Sequence, residues 1–236
     1  MSIAILAGQH SLANTADDTF KTYSGKEVKI HCIKHGSLMI EYNNQYIQID
    51  PVTNQPPKTD YSTYPKADFI LVTHEHADHL DPQAIETLSK PETQIILNKN
   101  TEEKLGKGTV MKNGDELTLA NGIKIEAVPA YNTTKEHLQF HPKGRDNGYI
   151  LNIDGLRIYI AGDTEDIPEM NQIKNIDVAF LPCNQPYTMT PEQLAKAAQM
   201  ITPKVLYPYH YGNTPMEQVQ QLLKGTKIDV RIRNMQ

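Results

Sequence analysis

The segment Thr73-His74-Glu75-His76-Ala77-Asp78-His79-Leu80 places three imidazoles and a carboxylate, those of His74, His76, Asp78 and His79, within six positions. Imidazole mixed with carboxylate is the ligand set that suits zinc and its first-row neighbours. Histidines two apart in an extended segment bring both rings to one side. A solvated loop with chance histidines is the bland alternative, and the density of donors argues against it.

Three more candidate ligands stand at loops or strand ends. Asp163 follows the apolar run Ile158-Tyr159-Ile160-Ala161-Gly162, His210 ends Val205-Leu206-Tyr207-Pro208-Tyr209, and His141 precedes a strand that begins near Tyr149. Singly, each is most simply a satisfied polar residue or a cap. Ligands offered from the ends of several strands of a mixed sheet converge on one edge, where such folds place their chemistry.

The elements that must position these residues are legible in outline. Val28 to Ile33, Leu38 to Tyr42 and Tyr46 to Ile49 read as short strands, with Asn43-Asn44 as a tight turn. The fold is expected to begin near Val28. Phe69 to Val72 is an apolar run of the buried-strand type, and Asp81-Pro82 opens a helix after the motif. Gln94 to Leu97 is a further strand and a helix follows from about Thr101. Hairpins are expected across Asn121-Gly122 and Asp154-Gly155. Val178 to Leu181 and Val205 to Tyr209 read as strands, with Ile228 to Ile232 closing the chain. Thr190-Pro191-Glu192-Gln193 and Thr214-Pro215-Met216-Glu217 both read as helix openings of the capping-box type. Antiparallel strands followed by strands alternating with helices place the chain in the α/β (α+β) class, as two sheets packed face to face with helices outside.

Length and charge exclude several functions. A chain of 236 residues with 39% hydrophobic content is expected to form a single domain, 1–236, with residues 1–24 as a peripheral N-terminal extension. A net charge of -5 and the lack of any Lys or Arg run disfavour nucleic acid as a partner. No stretch approaches the roughly 20 apolar residues of a membrane span. The apolar run Ile3 to Ala7 lacks a basic flank, so the cytoplasm is the expected compartment. Cys32 and Cys183 are too few for a disulfide framework and read as small core residues.

From about Val28 onward the sequence resembles the metallo-β-lactamase superfamily. Ile49-Asp50-Pro51, His74-x-His76-x-Asp78-His79, Ala161-Gly162-Asp163-Thr164 and His210 match its motifs in order. Within it the chain is similar to the branch of metal-dependent hydrolases that contains ascorbate-6-phosphate lactonase and N-acyl phosphatidylethanolamine phospholipase D. His141-Pro142-Lys143-Gly144-Arg145 is similar to the His-Phe-Ser-Gly-Arg element of that lipase's relatives. The resemblance implies a four-layer αββα sandwich holding two divalent ions, zinc first, with manganese or iron on the same ligands. It implies that His74, His76 and His141 hold one ion, that Asp78, His79 and His210 hold the other, and that Asp163 bridges them. Asp50 takes the place of the aspartate behind a ligand histidine. In many members the third histidine follows closely on the strand that here ends Val128-Pro129-Ala130, so His137 competes with His141 for that role.

Two cations about 3.5 to 4 Å apart supply hydroxide near neutral pH, with Asp78 placed to orient it and accept its proton. His35 and Arg145 coincide with motif positions and are expected at the substrate, Arg145 gripping an anionic part of it. Tyr131, Lys143, Asn184 and Tyr187 lie on loops that reach the same edge, where each reads equally well as a solvated surface group. The expected activity is hydrolysis of a small-molecule ester, lactone or phosphodiester. The alternative is an iron-dependent oxidoreductase of the persulfide dioxygenase type. Metal-binding without turnover is a third reading.

Overall fold

The computed structural model describes residues 17–235. Residues 1–16 and Gln236 lie outside the described residues, and with them the run Ile3 to Ala7.

The first sheet takes its strands in chain order: β1 (Asp18–Lys21), β2 (Glu27–Lys34), β3 (Ser37–Tyr42), β4 (Gln45–Ile49), β5 (Phe69–Leu71), β6 (Gln94–Leu97) and β7 (Thr109–Val110). Pairing is antiparallel from β1 to β4 and parallel from β4 to β7. The second sheet repeats the scheme with β8 (Glu116–Thr118), β9 (Lys124–Ala130), β10 (Asp146–Ile153), β11 (Leu156–Ile160), β12 (Val178–Pro182), β13 (Val205–Tyr209) and β14 (Asp229–Val230). It too is antiparallel over its first four strands and parallel thereafter. The sequence shows no repeat to match this topology.

The layers follow from the period of two along a strand. On β5, Phe69 and Leu71 join the cluster shared with the second sheet, whereas Ile70 and Val72 join a second cluster with Ala84, Ile85 and Leu88 of α1 (Pro82–Leu88). On β6, Ile96 faces inward and Ile95 and Leu97 face outward in the same way. After β6, α2 (Lys99–Leu105) is capped by Asn98, whose Oδ1 accepts from Thr101 N–H. On the far side, Leu194, Ala198 and Ile201 of α3 (Pro191–Ile201) and Val219 of α4 (Glu217–Leu222) seal the second sheet. The architecture is an α+β sandwich of two mixed sheets with helices outside.

Two local expectations need correction. The chain enters the first sheet at Asp18, inside the stretch read as a peripheral extension. Asp18 accepts hydrogen bonds from Tyr207 Oη, Arg231 Nη1 and Arg233 Nη2 at 2.5–2.7 Å, which ties β1 to the second half. Of the two capping boxes, the one at Thr190 and Gln193 forms. That at Thr214 does not: α4 begins at Glu217 with Met216 at its cap and no side-chain cap bond. Among the described residues no helix is long and apolar enough to cross a membrane.

Candidate metal centre

Every ligand expected from the sequence arrives at one edge of the sandwich. His74, His76, Asp78 and His79 follow β5, Asp163 follows β11, His210 follows β13, and His141 lies in the β9–β10 connection. His35 comes from the β2–β3 turn, where the register shifts between Cys32 and Lys34. His210 N–H donates to the His35 carbonyl at 3.0 Å, so the two halves meet at the site itself.

The backbone there is strained. His35, Asp50 and His210 adopt φ of 44°, 44° and 49°, a left-handed region costly for residues other than glycine. Each such residue costs on the order of 1–3 kcal/mol. A single buried leucine or isoleucine contributes about as much in the opposite sense, and the core holds dozens.

Supporting groups fix the rings. Buried Asp50 accepts from Thr73 N–H (2.8 Å) and Thr73 Oγ1–H (2.7 Å), and its Oδ2 lies 2.7 Å from His79 Nδ1. That assigns the His79 proton to Nδ1 and leaves the Nε2 lone pair free. With its hydrogen given to Asp50, Thr73 Oγ1 can only accept from His74 Nδ1 at 3.0 Å, which frees His74 Nε2 in the same way. Asp146 does this for His141, its Oδ2 lying 3.0 Å from Nδ1.

The freed atoms converge. His74 Nε2 lies 3.1 Å from His76 Nδ1 and 3.8 Å from Asp163 Oδ2, and His141 Nε2 lies 3.3 Å from that oxygen. On the other side His210 Nε2 is 3.4 Å from Asp78 Oδ2 and 3.3 Å from Asp163 Oδ2, while His79 Nε2 is 3.4 Å from Asp163 Oδ1. Tetrahedral bonds of about 2.0–2.1 Å require neighbouring donor atoms roughly 3.3–3.4 Å apart, close to this spread. His79 Nε2, His210 Nε2 and Asp163 Oδ1 are buried without a hydrogen-bond partner. Orphaned polar atoms at that depth are costly unless something binds them, and a cation fits the donor set. His74, His76 and His141 form one possible metal-holding group, His74, His79 and Asp163 another, and Asp78, His79 and His210 with His35 a third.

The carboxylates and imidazoles of the cluster also shift one another's ionisation. Burial opposes ionisation of Asp163 and Asp78, yet the surrounding imidazoles win. His210 and His79 hold the Asp163 carboxyl well below its ordinary range, and His79 with the neighbouring imidazoles of His210 and His35 does the same for Asp78. Burial, then the charge of His79, pushes His74 well down, whereas Asp146 and Asp163 overcome burial to raise His141 to about 9.

Above this floor opens a cavity of about 770 Å³ lined by His35, His76, Asp78, His141, Asp163 and His210. Asn184 and Tyr187 also line it, as do Phe140, Asn54, Gln55 and Leu80, which sequence reasoning missed. His35 Nε2 stands 3.1 Å from Asp78 Oδ2. His137 is elsewhere, its Nδ1 3.2 Å from Glu165. Tyr131 and Lys143 do not reach the cavity: the Tyr131 hydroxyl donates to Glu169, which Lys143 also binds. Arg145, expected at the substrate, instead donates from Nε and Nη2 to Asp146 and from Nη2 to the Phe140 carbonyl, with Nη1 3.4 Å from Glu75. Four residues after the expected ligand His141, it binds that residue's partner Asp146.

Comparisons with known proteins give the family. The β-lactamase superfamily domain matches residues 29–210. A metal-dependent hydrolase of Thermococcus kodakarensis is 34% identical over 198 residues, covering 80% of this chain and 86% of that one. The crystal structure of a protein named as a metal-dependent hydrolase from Parabacteroides distasonis superposes with a TM-score of 0.90 at 62% identity, over 93% of this chain and 98% of that one. A metallo hydrolase from Ignicoccus hospitalis does so with a TM-score of 0.75 at 28% identity, over 88% and 95%. With its motifs in order and its donors gathered at one sheet edge, the chain belongs to the metallo-β-lactamase superfamily and, within it, to the family of metal-dependent hydrolases.

Proposed function

We propose that this hydrolase holds two divalent ions, zinc first, and cleaves a small ester, lactone or phosphodiester. The observation that carries the reading is the convergence of seven side chains whose nitrogen and oxygen atoms stand 3.1–3.8 Å from one another, with the rings of His74, His79 and His141 held from behind. His74, His76 and His141 would hold one ion, Asp78, His79 and His210 the other, and Asp163 both. Bound there, the pair supplies polarisation of the scissile bond and a nucleophilic water near neutral pH. Asp78, whose side chain is 34% exposed toward the cavity, takes the proton of that water. His35, kept largely neutral by burial, hydrogen-bonds Asp78 and holds it in place. The buried histidines and Asp163 exclude bulk water from the floor.

The completeness of the second ligand group favours hydrolysis over oxidation at a single iron. Metal analysis of protein purified without added metal, with turnover of lactone, phosphodiester and thioester substrates, tests the reading. About two ions per chain, falling on His79→Ala or His210→Ala, are expected. One tightly held iron, unchanged in His210→Ala, would overturn it. In parallel, Asp78→Asn is expected to stay folded and lose at least about a hundredfold in turnover.

A further inference from the structure

Resting on that hydrolytic reading, we infer that the substrate is uncharged away from its scissile bond, an ester or lactone whose aromatic or aliphatic group packs against Phe140 and Tyr187. Three observations carry this.

The first is a census of cations. No lysine or arginine side chain of the described residues lines the cavity. Four that stand beside site residues in sequence or bond to their loops are all committed elsewhere. Arg145 is held by Asp146 and the Phe140 carbonyl, and Lys143 by Glu169. Lys104 donates to the Glu75 carbonyl, and Lys34 to the carbonyls of Thr53, Gln55 and Pro57. Residues 1–16 and Gln236 contain no lysine or arginine in their sequence, so they bring no cationic side chain of that kind. An anionic group beyond the metal floor would find no fork of donors and would face Asp81, which also lines the wall.

The second is that, apart from Asp81 and the candidate metal-binding floor with His35, the polar side chains of the lining are neutral amides: Asn54, Gln55 and Asn184. Amides offer both donors and acceptors and orient a carbonyl or ether oxygen without demanding charge. The third is the aromatic pair. The rings of Phe140 and Tyr187 meet edge to face, with centroids 5.0 Å apart, at the cavity wall. Tyr187 is 45% exposed, an open aromatic surface beside the reacting centre. Its loop is fixed from behind, because Asn132 Nδ2 donates to both the Tyr187 carbonyl (2.8 Å) and the His137 carbonyl (3.2 Å). The Tyr187 loop is therefore held, and the edge-to-face pair presents a wall to a flat or branched apolar group.

The test compares phenyl acetate with 4-sulfophenyl acetate on the zinc-loaded full chain, the sulfonate being a charged group that competes poorly for metal. With kcat/KM corrected for each ester's hydrolysis by hydroxide, the neutral ester is expected to win by about tenfold or more, the scale of one missing charge-assisted contact. Asn184→Lys should narrow that gap. Tyr187→Ala should lower kcat/KM for phenyl acetate by about tenfold while leaving methyl acetate within about twofold, the scale of a lost ring contact. A sulfonated ester cleaved as well as the neutral one, or equal losses on phenyl and methyl acetate, would overturn the inference while leaving hydrolysis intact. If zinc is bound and no ester, lactone or phosphodiester is cleaved, the hydrolytic reading fails instead. Saturation-transfer NMR then decides the pocket's preference without turnover. Contact with phenol that is lost in Tyr187→Ala, and is weaker for 4-hydroxybenzenesulfonate, supports it, and equal contact for both overturns it.

Discussion

Asp146 stands behind His141 with its Oδ2 3.0 Å from the ring Nδ1, and Arg145 grips that same carboxylate through Nε and Nη2. The chain thus passes from proposed ligand to guanidinium to the carboxylate behind that ligand within six residues. Removing the guanidinium frees the carboxylate to turn, and the imidazole with it. Arg145→Ala should therefore weaken metal binding by about 10–100-fold, the usual effect of losing a group behind a ligand. Competition with a chromophoric chelator measures this. At subsaturating metal, kcat/KM should fall equally for neutral and anionic substrates. Unchanged metal affinity with a loss confined to anions would return Arg145 to the substrate.

The two histidines of the β9–β10 connection should separate cleanly. His141 Nε2 faces Asp163, whereas His137 Nδ1 faces Glu165, which also accepts from Thr133 N–H, Thr133 Oγ1–H and Thr134 N–H. His141→Ala should cost metal. His137→Ala should keep the metal content of the parent and lose only about 1 kcal/mol of stability, one hydrogen bond's worth. The reverse order in metal analysis would exchange their roles.

What was legible in the sequence follows from what each residue needs of its neighbours. His74, His76, Asp78 and His79 are confined to six positions, so local spacing alone betrays them. His141 lies beyond a long connection, where a second histidine four residues earlier satisfies the same loose spacing, and only the fold separates them, with His141 beside Asp163 and His137 beside Glu165. Arg145 was misplaced because nearness to a ligand in sequence does not say which way a long side chain points. Phe140, Asn54, Gln55 and Leu80 line the cavity from three separate loops and belong to residue types with no spacing signature. The strand at Asp18–Lys21 has a single large apolar residue, Phe20, and depends on Asp18 meeting Arg231 and Arg233 more than two hundred residues later. The helix boundaries were readable where a side chain reaches the backbone, as at Thr190, and not at Met216, where none does.

Gly36 has a task set by His79. A Cβ there would sit 2.8 Å from His79 Cε1 and 3.1 Å from Nδ1, and the ring is not free to give way because Asp50 holds Nδ1 at 2.7 Å. Gly36→Ala should fold, since its own φ is ordinary, yet displace His79 and lower the metal content from about two ions toward one. Circular dichroism with metal analysis checks both halves. Full metal content in a folded variant would mean that the ring is less constrained than its contacts imply.

Lys34 should give the fold a pH dependence of unusual sign. It is 1% exposed, and its Nζ donates to the carbonyls of Thr53, Gln55 and Pro57, holding the loop that presents Asn54 and Gln55 to the cavity. Burial without a directly bonded carboxylate pushes its pKa down to about 8 from 10.5, only partly offset by Asp81. Below about pH 8 both folded and unfolded chains carry the proton and the folded state bears the full cost of a buried charge. Between about pH 8 and 10.5 the unfolded chain holds a proton that the folded chain has released, so stability rises with pH in that window. Other groups titrate there too, and Lys34→Met removes this contribution while leaving theirs. The stability of the parent relative to the variant should therefore grow between about pH 7 and 10.5, by up to about 3 kcal/mol. Urea unfolding midpoints across that range measure it, and a difference that stays flat or shrinks would show that Lys34 keeps an ordinary pKa in the folded chain.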